Sequence, residues 1–163
     1  MGRHRTLDAQ VVQGGCVFAI RSILFAGDFS ECSLQAFGMA AALARDHGAR
    51  LVILHIATPP PLVSYRELER SLEPVKGYRR ELEDRLRELY PEDSGVDVTY
   101  RIGDGDPATE IIGIARELSC DLIVMGTKGN TGLERLLMGS VAERVMRGAA
   151  CPVITVRAGT STK

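Results

Sequence analysis

Four apolar residues in a row, Leu122, Ile123, Val124 and Met125, run directly into a glycine-rich segment. The whole stretch, Asp121 to Arg157, reads DLIVMGTKGNTGLERLLMGSVAERVMRGAACPVITVR. An unbroken apolar run this short is expected of a central parallel strand covered on both faces. That restricts the chain to a sheet sandwiched between helices. Gly126, Gly129 and Gly132 follow, and glycines let a backbone turn sharply and approach a ligand closely. Gly139-Ser140 then opens a helix. The first N–H groups of a helix are unpaired and favour an anion. Cys151 to Arg157 is a second apolar strand, so the stretch has the layout of a phosphate site at a strand end.

The remaining chain repeats this alternation. A first strand spans Ile20 to Ala26 and ends in the turn Gly27-Asp28-Phe29-Ser30. Ser30 is an N-cap candidate for a helix over Glu31–His47, with Ser33 the second candidate, and Gly48 stops that helix. Leu34, Phe37, Ala41 and Ala44 mark its apolar face. Arg50 to Ile56 is the second strand, and Pro59-Pro60-Pro61 forbids regular structure after it. Tyr65 to Tyr90 is charged and helical in pattern, divided by Pro74 and Gly77, with Tyr78, Leu82, Leu86 and Leu89 as the inward stripe of its second piece. Val96 to Ile102 is the third strand. Asp106 caps, and Pro107 begins, a helix reaching about Ser119. Strands alternating with helices give one α/β domain: a five-stranded parallel sheet with helices on both faces and right-handed crossovers. The domain spans 20–158, between a flexible extension over 1–19 and a tail over 159–163.

Composition narrows the function. In 163 residues, 20 basic side chains face 21 acidic ones, and this balance argues against a nucleic-acid binder. No apolar run reaches the roughly 18 residues of a membrane span. The apolar stretch Val17–Ile20 is broken by Arg21, too short for a secretory signal. Cys16, Cys32, Cys120 and Cys151 have no metal-type spacing, and a reducing cytoplasm suits them.

Doubly wound sheets bind ligands beyond the carboxyl ends of their strands, where strand order reverses. With the order 3-2-1-4-5, strands one and four are neighbours at the reversal, which brings Asp28 beside Gly126. The glycine segment is not a Walker A loop, because Leu133 follows Gly132 where lysine is required. Nor is it a G-x-G-x-x-G fingerprint. It reads G-x-x-G-x9-G-S through Gly126, Gly129, Gly139 and Ser140. A flavodoxin-type carrier would place a phosphate loop after strand one, where FAGDFSE is too poor in Gly and Thr.

That spacing, and the residues from about Arg21 to Arg157 around it, closely resemble the universal stress protein family in its ATP-binding branch. The resemblance implies a Rossmann-like sheet of order 3-2-1-4-5, ATP at the switch point with Mg²⁺ on its phosphates, and homodimers paired through the final strand, Pro152–Val156. It further implies that Asp28 lies near adenine and ribose, beside Ala26 at the end of strand one, and that Ile56 is an apolar adenine contact. Met125 and Gly126 would flank the nucleoside. Gly129, Gly139, Ser140 and Val141 would hold the phosphates. Ala26-Gly27-Asp28 departs from the usual Pro-Val-Asp or Pro-Thr-Asp, which keeps the acid and loosens the turn.

Simpler roles compete with these. Ser140 with Glu143 forms an S-x-x-E capping box. Asp28 would cap its own turn, Lys128 would neutralise phosphate or only solvate the loop, and His55 is a candidate general base. The expected function is a nucleotide-dependent stress-response sensor or switch with slow or no hydrolysis. The alternatives are an interaction module that binds no nucleotide and an ATP-hydrolysing enzyme.

Overall fold

A computed structural model of the chain describes residues 19–57, 72–91, 95–127 and 138–157, the side chains of 72–76 excepted. The elements in chain order are β1 (Ser22–Ala26), α1 (Glu31–His47), β2 (Arg50–Ala57), α2 (Leu72–Leu89), β3 (Val98–Asp104), α3 (Pro107–Glu117), β4 (Leu122–Gly126), α4 (Ser140–Gly148) and β5 (Val153–Val156). All strand pairs are parallel, and the sheet order is β3-β2-β1-β4-β5. The expected order and the two helical layers are therefore both present. The terminal extension up to residue 18, the three prolines and the tail lie outside the described residues, as do Lys128, Gly129 and Gly132.

Alternate strand residues build two cores. Ile23, Phe25, Leu51, Ile53, Leu122 and Val124 face α1 and α2. Leu24, Val52, Leu54, Ile56, Ile123 and Met125 face α3 and α4. The period of two along each strand, with apolar residues at both phases, makes the central strands wholly buried. β1 and β4 are buried from their first residue to their fourth.

Local chemistry sets the helix ends. Ser30 caps α1, its hydroxyl accepting from the Ser33 N–H at 3.2 Å. Gly48 closes that helix at φ 61°, a left-handed conformation that glycine adopts without penalty. Asp106 caps α3 by accepting from the Thr109 N–H at 3.0 Å, and Pro107 starts it.

Three expectations need correction. The buried face of α1 is Cys32, Ser33, Ala36, Ala40, Ala41 and Ala44; of the expected face Ala41 and Ala44 are buried and Phe37 packs against the core, whereas Leu34 is 41% exposed. Small side chains on that face allow the close approach of helix to sheet. Pro74 and Gly77 do not divide α2, which is continuous from Leu72 to Leu89. Pro74 falls in the first turn, where its missing N–H has no intrahelical partner to lose, and the cost of about 1 kcal/mol for Gly77 is too small to break a packed helix. The third strand starts two residues later than expected and runs to Asp104, because its pairing with β2 continues to Ala57↔Asp104.

Candidate functional site

β1 leaves the sheet after Ala26, which lies in register with Leu54 of β2 and Met125 of β4. β2 continues to Ala57, still paired with β3. The Gly27 N–H reaches the Leu54 carbonyl at 2.8 Å. Alternate residues of a strand direct their backbone groups to the same neighbour. Ile56 therefore points its N–H and C=O past the end of β1, although its side chain is buried toward α3 and α4.

A cavity of about 400 Å³ occupies this crevice. Ala26, Asp28, Ile56, Met125, Gly126, Gly139, Ser140 and Val141 all line it. The structure thus gathers eight of the nine residues singled out from sequence, and the ninth, Gly129, lies outside the described residues. The cavity is also bounded by Phe29, His55, Tyr78, Arg85 and Thr127, none of which belongs to that set.

The turn after β1 is held more firmly than expected. Besides the bond from its N–H, Gly27 receives a 2.8 Å hydrogen bond at its carbonyl from His55 Nδ1. A Cβ on Gly27 would sit 2.9 Å from the rings of Phe25 and Tyr90. Glycine here admits the Tyr90 ring, and the turn is pinned rather than loosened. The Asp28 carboxylate does cap its own turn, accepting from the Ser30 N–H at 3.1 Å and the Ser30 hydroxyl at 2.6 Å. The Asp28 N–H is itself bound by Ser33 Oγ at 3.2 Å.

Phe29 follows at φ 65°, an uncommon conformation for a bulky residue. Its N–H is held by the Tyr90 hydroxyl at 3.2 Å. Its ring lies 4.3 Å from that of His55, and the Arg85 guanidinium sits 4.4 Å above it. Tyr90 is fully buried and shares a 2.8 Å hydrogen bond with Ser33 Oγ. One side chain immediately after α2 therefore ties together the turn that carries Asp28 and the first turn of α1. Burial pushes the Tyr90 hydroxyl up from its ordinary pKa. Burial also lowers that of His55, against the Gly27 hydrogen bond and the Asp28 charge, which raise it.

On the opposite wall stands the start of α4. Gly139, not Ser140, is the N-cap, and no side chain caps the helix. Ser140 is the first helical residue and is exposed. The capping box fails because Gly139 occupies the N-cap position, which puts Glu143 four residues past the cap, one beyond N3; Glu143 pairs instead with Arg147 at 2.8 Å. The Glu143 N–H bonds the Gly139 carbonyl at 3.1 Å. The N–H groups of Ser140, Val141 and Ala142 precede the first intrahelical bond and have no intrahelical acceptor. All three residues line the cavity. Beside them the buried Thr127 Oγ1 has no hydrogen-bond partner among the described residues. A buried hydroxyl left unpaired costs about 1–3 kcal/mol, so its place at a ligand cavity is informative.

Gly126 has a role that spacing alone did not suggest. A Cβ there would meet Cys32 Cβ at 2.9 Å and the backbone of Cys32 and Ser33 at 3.1 Å. Its lack of a side chain serves the contact between β4 and the start of α1.

Three comparisons with known proteins agree with this architecture. Residues 19–157 match the model of the universal stress protein family. A universal stress protein of Methanocaldococcus jannaschii, MJ0531, is 36% identical over 140 residues, covering 84% of this chain and 82% of that protein. The solved structure of the hypothetical protein MJ0577 is 31% identical with a TM-score of 0.73, over 88% of this chain and 99% of that one. A universal stress protein solved in complex with cAMP is 26% identical with a TM-score of 0.59, over 86% and 99%. With the sheet order, the switch-point cavity and the match over nearly the whole chain in agreement, this chain belongs to the universal stress protein family.

Proposed function

We propose that the chain binds ATP in the switch-point cavity and acts as a nucleotide-dependent sensor or switch in a stress response, with slow or no hydrolysis. The observation that carries this reading is the uncapped start of α4, which opens on the same cavity as Asp28 and the backbone edge of Ile56. Uncapped N–H groups suit phosphate oxygens. A strand edge offering one donor and one acceptor suits the edge of a purine. The cavity is within the size range of ligand pockets, about 300–1,000 Å³. The relative solved with cAMP supports an adenine nucleotide as the ligand class.

In this reading Ala26, Asp28, Ile56, Met125 and Gly126 surround the nucleoside. Gly129, Gly139, Ser140 and Val141 hold the phosphates. Among the described residues no cluster of His, Cys, Asp or Glu would hold a metal, so Mg²⁺ would be carried by the phosphates, its usual arrangement in nucleotide sites. Among the described residues no helix is long and apolar enough to cross a membrane, and the proposed location is the cytoplasm.

Calorimetric titration tests the site. Wild-type protein is expected to bind ATP in Mg²⁺, and Ser140→Ala to bind it about tenfold or more weakly, the loss expected of one charge-assisted hydrogen bond. The melting temperature of that variant is expected to stay close to wild type, because Ser140 is exposed and caps nothing. No binding by the wild type at millimolar ATP, or equal affinity in the two proteins, sinks the assignment. Phosphate release that depends on Ser140 would make the protein a hydrolase instead.

We also propose a homodimer through β5. This strand pairs with β4 on one side, and its four residues are only half-buried. An apolar edge strand is a template for a second strand. Light scattering is expected to give twice the chain mass at micromolar concentration, and a purely monomeric profile would refute the dimer.

A further inference from the structure

We infer that His55 recognises a hydrogen-bond donor on the ligand, an N–H or O–H group presented to its imidazole Nε2. The inference rests on the ATP reading above and adds a specificity-determining residue to it. A carbonyl oxygen only accepts, so the 2.8 Å bond from Nδ1 to the Gly27 carbonyl places the imidazole proton on Nδ1. Neutral imidazole has one N–H, so Nε2 is left as a lone-pair acceptor. Among the described residues nothing is hydrogen-bonded to Nε2, while His55 lines the cavity.

The surroundings keep this state. Burial lowers the basicity of the ring, and the Arg85 charge acts in the same direction. The Phe29 ring packs 4.3 Å from the imidazole and fixes its plane, and Phe29 is in turn held by Tyr90 and Arg85. The result is an oriented acceptor at the end of β2, next to the backbone edge of Ile56. The Asp28 carboxylate, which also lines the cavity, already takes two hydrogen bonds from Ser30. Adenosine offers two kinds of donor, the exocyclic amine and the ribose hydroxyls. Either fits Nε2, and analogues lacking one or the other separate them.

The experiment compares ATP with purine riboside triphosphate, 2′-deoxyATP and 3′-deoxyATP by calorimetric titration of wild-type protein and His55→Phe. Phenylalanine keeps a flat ring against Phe29 and deletes the acceptor together with the Nδ1–H bond to Gly27, a loss that falls on ATP and its analogues alike. The wild type is expected to prefer ATP over one analogue by up to about tenfold, the worth of one neutral hydrogen bond. His55→Phe is expected to bind ATP and that analogue equally. Unchanged discrimination in the variant overturns the inference. So does an equal loss for ATP and every analogue, which would mean a purely structural ring, or a wild type that prefers ATP over none of them. A wild type that binds no ATP overturns the nucleotide reading itself. Should His55→Phe fail to fold, long-range ¹H–¹⁵N spectra of histidine-labelled wild type decide the matter. The acceptor-type Nε2 resonance is expected to shift with ATP and not with the discriminated analogue, and a stationary Nε2 under saturating ATP overturns the proposal.

Discussion

Tyr90→Ala is expected to lower the unfolding free energy by about 3–5 kcal/mol, the usual cost of removing a large buried aromatic side chain. The ring is fully buried, with centroids 4.9 Å from Phe25 and 5.1 Å from Phe37. Tyr90→Phe separates the ring from its hydroxyl. It keeps the aromatic packing but leaves the Phe29 N–H and Ser33 Oγ without their partner. Its expected cost is about 1–3 kcal/mol, the penalty for stranding a buried polar group. Because the hydroxyl holds Phe29 at positive φ, Tyr90→Phe is also expected to weaken nucleotide binding, whereas a core substitution far from the turn would not. Denaturant titration of both variants, with ATP titration of Tyr90→Phe, checks this. A Tyr90→Phe protein within about 0.5 kcal/mol of wild type would show that the hydroxyl does not support the turn.

Gly126→Ala is expected to destabilise the protein by about 1–3 kcal/mol, and Gly126→Val by more, with the fold rather than the ligand taking most of the effect. The added Cβ would meet the backbone of α1 at 3.1 Å. Backbone cannot rotate aside as the end of a side chain can, and overpacking of this kind forces shifts. Urea denaturation of the ligand-free proteins measures it. Wild-type stability combined with lost ATP affinity would return Gly126 to a direct ligand role. Gly126→Val is consequently a poor inactive control for hydrolysis, and Ser140→Ala is the better one.

Most of the framework was legible because the signals were local. Four-residue apolar runs marked β1 and β4. Ser30, Gly48, Asp106 and Pro107 marked helix ends by hydrogen bonding and backbone preference within a few residues. The errors arose where two local patterns competed. S-x-x-E at Ser140 fits a capping box, yet the helix starts one residue earlier than that frame requires and is capped by Gly139. Pro74 reads as a break unless it falls in a first turn, as it does here. Leu34 satisfied a helical spacing with Ala41 and Ala44, but the buried stripe is centred on small residues and leaves Leu34 at its exposed edge.

The G-x-x-G-x9-G-S spacing, the alternation of apolar runs and the family resemblance they carry were enough to expect a crevice at the strand ends and eight of the residues that line it. Which side chains meet there from distant positions was settled by packing. Phe29 and Tyr90 are 61 residues apart, and Gly27 and His55 are 28 apart. The first ties the turn after β1 to the residue that follows α2, and the second ties that turn to the end of β2. No periodicity within a helix or strand encodes such a contact, since it depends on the relative placement of elements rather than on the conformation of either one. The motif therefore pointed to the crevice at the strand ends, and the tertiary packing decided how the turn beside it is held.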